Sequence, residues 1–277
     1  MEADTTGDAS LDVPADGVEQ DNAAPKEKGK GRAGRGGSRG GRLDRQVLVS
    51  KALSKLLRHR AAEAGIPLDA EGFAPLDKVL AYGPIKSLKT TLEDVQSVVS
   101  TNDKQRFLLK ANPSAAAGDA AGDAAAGYLI RANQGHSIRL ESSSLLEPLT
   151  AEAGNVPARV LHGTYFSAWG AIEAAGGLRP MGRNHVHCSE GLPGEEGVVS
   201  GMRGDAELVV EIDVRRSMEE GGLRWWRSDN GVVLTEGDEG GLVSARFFRR
   251  VTGRRVDVGV LWEDGERTGS KQAMCIS

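Results

Sequence analysis

An α+β fold with a helical front half and a strand-rich back half is predicted by three features of the sequence. Apolar residues between 47 and 99 recur at the three-to-four spacing of amphipathic helices. Beyond residue 127, short runs rich in Val, Ile and Leu alternate with glycine-containing turns. Between the two, residues 112–127 form a low-complexity stretch, NPSAAAGDAAGDAAAG, which reads as a linker and a domain boundary.

Taken in order, residues 1–45 are expected to be a disordered tail, because they are rich in Ala, Gly, Asp and Pro and nearly lack the side chains that bury surface on folding. The tail changes sign along its length. Residues 1–25 hold seven acids and no bases, whereas residues 26–45 hold eight Lys/Arg against Glu27 and Asp44. Its glycine-spaced cations suit non-specific contact with a phosphate chain, or equally a solvated linker. Residues 46–111 are expected to form the first ordered lobe. A helix begins near Val47, with Val47, Leu48, Ala52, Leu53, Leu56, Leu57 and Ala61 on one stripe and Gly65 as its left-handed stop. A second starts near Leu76, and a third runs from Thr91 to Val99. The turn Asn102-Asp-Lys104 then leads into the strand Arg106-Phe-Leu-Leu109. Three helices followed by a hairpin resemble a small winged-helix domain.

Residues 128–250 are expected to form the second lobe. Its strands are Tyr128-Leu-Ile130, Arg159-Val-Leu161, His185-Val-His187, Leu208 to Val214 and Gly231 to Thr235, with one helix from Phe166 to Ala175 closed by Gly176 and Gly177. Residues 251–277 are expected to be a tail of uncertain order.

The formal net charge of −4 says little about partners, because it sums segments of opposite sign. Residues 46–110 carry ten bases against seven acids, and residues 111–277 seventeen against twenty-three, so the first lobe is the side from which an acidic partner would approach. No run approaches the roughly 18–20 apolar residues of a membrane-spanning helix, and the N-terminus lacks a secretory pattern. Cys188 and Cys275 have no CxxC spacing and make no disulfide framework, so an intracellular, cytoplasmic or nuclear location is expected.

Chemistry is carried by arginine and histidine. Arg58 and His59 are consecutive on the first helix, about 100° apart, and the helix alone favours a solvated pair. Arg131-Ala-Asn-Gln-Gly-His-Ser137 follows a strand and offers a guanidinium, two amides, an imidazole and a hydroxyl with no carboxylate. Such a turn suits an oxyanion, or is simply a polar turn capped by Asn133. His162-Gly-Thr164 is expected between a strand and a helix start, where a backbone can approach a ligand closely. His185 and His187 project to one face of a strand, with Cys188 opposite. That pair invites zinc, but further ligands at recognisable spacing are missing. Ser200-Gly-Met-Arg203 places a cation after a flexible glycine. No GxGxxG, Walker A, GxSxG or HExxH motif occurs.

Seven blocks in order carry a resemblance. They are Ser50-Lys-Ala-Leu-Ser-Lys-Leu-Leu-Arg-His59, Gly72-Phe-Ala-Pro-Leu76, Ile130-Arg-Ala-Asn-Gln-Gly-His-Ser137, Leu161-His-Gly-Thr164, Gly177-Leu-Arg-Pro-Met-Gly-Arg-Asn-His-Val-His187, Ser200-Gly-Met-Arg203 and Arg227-Ser-Asp-Asn-Gly-Val-Val-Leu-Thr235. Over about residues 46–250 this chain resembles the RNA 2′-phosphotransferase family, enzymes that remove the splice-junction 2′-phosphate of tRNA.

The resemblance implies a winged-helix RNA-binding lobe and an ADP-ribosyltransferase-like mixed β lobe that binds NAD. It implies that the RNA 2′-phosphate attacks C1″ of the nicotinamide ribose, and that O2″ then attacks phosphorus. The products would be 2′-hydroxyl RNA, ADP-ribose 1″,2″-cyclic phosphate and nicotinamide, with NAD consumed and no metal required. It implies that Arg58, His59, Arg131 and Arg203 are the catalytic quartet. Arg58 and Arg131 would grip the phosphate, Arg203 would stabilise the transition state, and His59 would contact phosphate and assist proton transfer. His162, Gly163, Thr164, Arg183 and His185 would bind NAD, with Asn133, Gln134 and His136 on the substrate side. A monomer acting on spliced tRNA is expected. An ADP-ribosyltransferase that caps terminal phosphates of RNA or DNA is the alternative, and a non-catalytic RNA binder the rival from another class.

Overall fold

The computed structural model describes residues 39–115, 124–138, 140 and 142–268, which fall within one unit, Ser38–Ser277. The first helix, α1, spans Arg39–Lys55 and runs directly into a π-helical turn, Leu56–Arg60. The helix thus takes in Arg39 to Arg45 of the stretch expected to be a tail; residues 1–38 lie outside the described residues. Val47 and Leu48 are exposed, and the buried stripe is Val49, Leu53, Leu56, Leu57 and Ala61. Five apolar positions at that spacing outweigh the two that begin the predicted run. Arg45, in the second turn of α1, donates to both carboxylate oxygens of Asp94, at 3.1 and 2.6 Å, and to the carbonyls of Leu88 and Lys89.

Next come β1 (Ala74–Pro75), α2 (Leu76–Ala81), α3 (Gly83–Ser87) and α4 (Leu92–Thr101). Thr91 caps α4 through a reciprocal capping box with Asp94. α3 was not predicted; Pro84 at its first turn starts it, but five residues are too few for periodicity to show. Strands β2 (Phe107–Ala111) and β3 (Tyr128–Ala132) pair antiparallel from Phe107↔Ala132 to Ala111↔Tyr128, and β1 adds to the other edge of β3. The first sheet therefore takes strands from both sides of residues 112–127. The chain flanking the low-complexity stretch closes a β hairpin, and Ile130 and Ala132 belong to the same core as Leu53, Val79 and Val95. Low complexity marks a tolerated insertion in a loop as readily as a domain border.

The remainder is antiparallel sheet. α5 (Ser142–Leu145), β4 (Glu147–Leu149), β5 (Leu161–Thr164), α6 (Phe166–Ala174), β6 (Gly177–Leu178), β7 (Val186–Cys188) and β8 (Leu208–Ile212) come first. They are followed by α7 (Val214–Gly221), β9 (Trp225–Arg227), β10 (Val233–Thr235), β11 (Val243–Ser244), β12 (Phe248–Gly253), β13 (Val260–Glu263) and β14 (Glu266–Arg267). One sheet has the order β4-β9-β10-β7 and another β14-β13-β12-β8-β5, with Leu161 and Ser189 exchanging backbone bonds between them. Trp225, Phe247, Phe248, Leu208, Val210 and Val233 fill the core of this half. The strand expected to run to Val214 stops at Ile212, because Asp213 caps α7 by accepting from the Arg216 amide. Residues 251–268, expected as a tail, complete the larger sheet, while 269–277 lie outside the described residues.

Candidate active site

Residues 58 and 59 lie on the π-helical turn. A wider turn leaves less than the roughly 100° of an α-helix between consecutive side chains. Arg58 is buried, at 5% exposure, while His59 reaches the surface and its Nδ1 lies 2.9 Å from Ser137 Oγ. The Arg58 carbonyl accepts from the amides of Ser137 and Ile138, at 3.0 and 3.4 Å, tying the turn to the segment after β3. Gly135 bends that segment with φ +87°, and a Cβ there would meet the Arg58 guanidinium at 3.5 Å. Glycine is needed for the backbone conformation and keeps this face close.

Arg131 sits on β3, the middle strand of its sheet. Its Nη1 donates to the Glu71 carbonyl at 3.1 Å, its Nη2 to Asp229 Oδ2 at 2.5 Å, and its guanidinium lies 4.8 Å from the centre of the Phe73 ring. Lys110 Nζ packs 3.8 Å from the same ring centre and pairs with Glu71, which holds that carboxyl below its ordinary range. A carboxylate therefore does reach the turn that has none of its own. Arg131 Nε, Asn133 Oδ1 and His136 Nε2 are buried without hydrogen-bond partners. Buried polar atoms are almost always paired, so three together point to a ligand. Asn133 is otherwise fixed, donating from Nδ2 to the Gln105 carbonyl at 2.8 Å.

Three further histidines form a chain whose tautomers follow from their partners. His162 Nδ1 lies 2.9 Å from the His187 carbonyl, and His187 Nδ1 lies 2.9 Å from the His185 carbonyl. Carbonyls only accept, so both Nδ1 atoms carry protons. Ser142 Oγ gives its single proton to Glu236 Oε1 at 2.6 Å, so His185 Nε2, 2.9 Å away, must donate to Ser142. His185 is thus left with a bare Nδ1 and His162 with a bare Nε2. Gln134 Oε1 lies 2.9 Å from His187 Nε2. Burial holds His162, His185 and His187 below the ordinary histidine range, with the Arg183 charge adding to the effect on His187. His136 is pushed down to about 3, by burial first and then by the charges of Arg58, His185, His59 and Arg131. Arginine charge thus acts on His136, from Arg58 and Arg131, and on His187, from Arg183 and Arg58.

His162, Gly163 and Thr164 lie within β5, paired with β8, rather than on a turn after a strand. Gly163 is required by packing, since a Cβ there would overlap Met202 Cγ and stand 2.9 Å from Ala206 Cβ. Met202 precedes Arg203, whose guanidinium lies 6.0 Å from the Tyr165 ring centre and 3.5 Å from its hydroxyl. Arg203 is thus tied to the β5–α6 junction. The segment with Arg183 is fixed by Asn184, which donates from its backbone to the His136 carbonyl and from Nδ2 to the Ile138 carbonyl. Glu71, Phe73, Ser142, Tyr165, Asp229 and Glu236 were not singled out from the sequence. Phe73 and Asp229 lie inside quoted blocks, but nothing in one dimension aims them at Arg131. Among the described residues, no three His, Cys, Asp or Glu side chains gather to hold a metal ion.

Buried Arg131 and the partnerless buried atoms Arg131 Nε, Asn133 Oδ1 and His136 Nε2 make the segment from β3 to Ser137 a candidate site for an anionic substrate. Residues 44–237 match the family described as RNA 2'-phosphotransferase, Tpt1 / KptA family. The chain is 40% identical over 227 residues to human tRNA 2'-phosphotransferase 1, covering 80% of this chain and 83% of that one. It is 37% identical over 193 residues to tRNA 2'-phosphotransferase of Saccharomyces cerevisiae (69% and 79% covered), and 35% over 210 residues to the probable RNA 2'-phosphotransferase of Acaryochloris marina (76% and 99%). The chain belongs to the RNA 2′-phosphotransferase family, which makes it a transferase.

Proposed function

We propose that this chain removes an internal 2′-phosphate from RNA, at the splice junction of tRNA, consuming NAD and passing through an ADP-ribosylated RNA. The observation that carries the proposal is the trio of partnerless buried atoms, Arg131 Nε, Asn133 Oδ1 and His136 Nε2, beside the Arg58 guanidinium. The residues suit both substrates. Fixed guanidinium donors match a phosphate dianion without taking a proton, and uncharged imidazole nitrogens can accept from ribose hydroxyls or a carboxamide. The α1–α4 helices with the β1-β3-β2 sheet form the proposed winged-helix lobe, and the antiparallel sheets the proposed ADP-ribosyltransferase-like lobe.

Arg58 and Arg131 hold the 2′-phosphate, with Asp229 and the Glu71 carbonyl fixing Arg131 in plane. His162, Gly163, Thr164, Arg183 and His185 line the NAD side, and Asn133, Gln134 and His136 the phosphate or nicotinamide side. In the first step a phosphate oxygen bonds to C1″ while the bond to nicotinamide breaks; the gain is in orientation. In the second, O2″ bonds to phosphorus, the P–O2′ bond breaks, and the proton passes from O2″ to O2′. His59, exposed and hydrogen-bonded to Ser137, is the group suited to move it. Arg203 stabilises the charge that builds on the phosphorane oxygens. No step calls for a metal, because the arginines supply the positive charge.

Purified protein with NAD and a 2′-phosphorylated RNA is expected to give 2′-hydroxyl RNA, ADP-ribose 1″,2″-cyclic phosphate and nicotinamide. A stable ADP-ribosylated RNA as sole product would instead support the capping transferase. RNA binding without any nicotinamide release would leave only a binding role.

A further inference from the structure

We infer that Arg254 and Arg255, just after β12, are positioning residues that hold the loop carrying Arg203. The inference rests on the proposed role of Arg203 and extends it to residues beyond the family match, which ends at 237.

The loop between Gly201 and β8 is anchored on its N-terminal side by packing. Gly201 has φ +110° and lies against the Cys188 carbonyl, and Met202 packs on Gly163. On its C-terminal side the anchor is arginine. Arg254 Nη1 donates to the Gly204 carbonyl at 2.6 Å and to that of Ala206 at 3.4 Å, and Arg255 Nη2 donates to the same Gly204 carbonyl at 2.7 Å. The Arg254 amide donates to the Glu207 carbonyl at 2.7 Å. Two guanidinium groups thus converge on the carbonyl of the residue after Arg203. A Cβ at Gly204 would meet nothing within 4 Å, so side-chain packing does not fix this point.

Arg203 stands between these two anchors. Its carbonyl accepts from the Ala206 amide at 3.3 Å, closing a turn, and Tyr165 ties the turn from the other end by donating to Asp205 Oδ1 at 3.0 Å. With Gly204 released, the turn could relax and carry the guanidinium away from the place it needs at the transition state. Charge-assisted bonds to a carbonyl are stronger than neutral ones, which is why two arginines can fix Gly204, the point between buried Met202 and Ala206 where no side chain packs. A misplacement near 1 Å of a reacting or stabilising group is enough to cost up to about a hundredfold in rate.

The double variant Arg254→Ala, Arg255→Ala tests this in the full chain. Its kcat is expected to fall about ten- to a hundredfold while KM for NAD and for RNA stays within about twofold. Arg254→Lys with Arg255→Lys is expected to recover most of the loss, because lysine still offers donors to the Gly204 carbonyl. Hydrogen exchange on the protein alone is expected to quicken at the amides of Ala206 and Glu207, which donate to the Arg203 and Thr164 carbonyls. Unchanged exchange at those amides would overturn the inference, as would faster exchange with unchanged kcat, or a loss that follows the melting temperature and is not rescued by lysine. A wild-type chain with no turnover would overturn the proposed function instead, and the exchange measurement would still decide whether the two arginines hold the loop.

Discussion

Arg131 Nη2 lies 2.5 Å from Asp229 Oδ2, a bond between residues 98 positions apart that joins the middle strand of the N-terminal sheet to the turn between β9 and β10. Arg131 is buried, whereas Asp229 is 47% exposed, so the carboxylate orients a guanidinium without being locked in itself. Asp229→Asn is expected to leave the fold intact and lower turnover about tenfold, equal to about 1.4 kcal/mol of barrier, since the amide still accepts a bond but holds the cation less firmly. Arg131→Ala is expected to abolish turnover. Steady-state rates alongside melting curves check both, and wild-type turnover in either folded variant would detach that residue from the chemistry.

Gly163→Ala is expected to be costly although the substitution is small. The new Cβ would overlap Met202 Cγ and stand 2.9 Å from Ala206 Cβ, and overpacking of this kind costs about 1–3 kcal/mol. Met202 neighbours Arg203, so the strain falls on the proposed transition-state arginine as well. Urea unfolding should show the loss of stability, and kcat should fall with it. A variant with both values unchanged would mean that β5 moves aside.

The sequence made the helices around Leu76 and Thr91 and the strands at Phe107, Tyr128, Val186, Leu208 and Val233 legible, because their apolar residues keep a helical or alternating period. It hid what depends on pairing between distant segments. The hairpin joining Phe107–Ala111 to Tyr128–Ala132 is interrupted by a low-complexity insert that resembles a domain border. Asp229 against Arg131, and Ser142 with Glu236 against His185, join residues 98, 94 and 43 positions apart, and no local spacing announces such contacts. The juxtaposition of Arg58 and His59 was out of reach for a related reason. An α-helical wheel sets them about 100° apart, and the π-helical turn narrows that angle. Ordered motif blocks located the candidate residues; what orients each of them became visible in three dimensions.

Ser142 is expected to act through His185. It passes its proton to Glu236 and receives the bond from His185 Nε2, and both Ser142 and His185 are buried. Ser142→Ala would leave that N–H only the longer contact to Glu236 Oε1, at 3.5 Å, at a cost of up to about 1–3 kcal/mol. The ring would also lose the contact that fixes its tautomer, so KM for NAD is expected to rise more than kcat falls. Denaturation curves and NAD saturation kinetics separate the two effects. Loss of stability with unchanged KM would confine Ser142 to the fold.

Acid is expected to destabilise the protein through its buried imidazoles. His136 takes up a proton only near pH 3 in the folded chain, against about 6.5 when unfolded, because burial and the charge of Arg58 oppose it. Between those values the unfolded chain binds the additional proton, so stability rises with pH across the window. The contribution is complete above about 6.5 and is lost progressively as pH falls toward 3. His162, His185 and His187 are lowered too and act in the same direction. Above about pH 5 most carboxylates are ionised in both states, so the interval from about 5 to 6.5 isolates the histidines. The urea midpoint should fall across that interval in the wild-type protein and fall less steeply in His136→Gln, which cannot take up the proton. Equal slopes in the two proteins would show that His136 is protonated as readily in the folded chain as in the unfolded one.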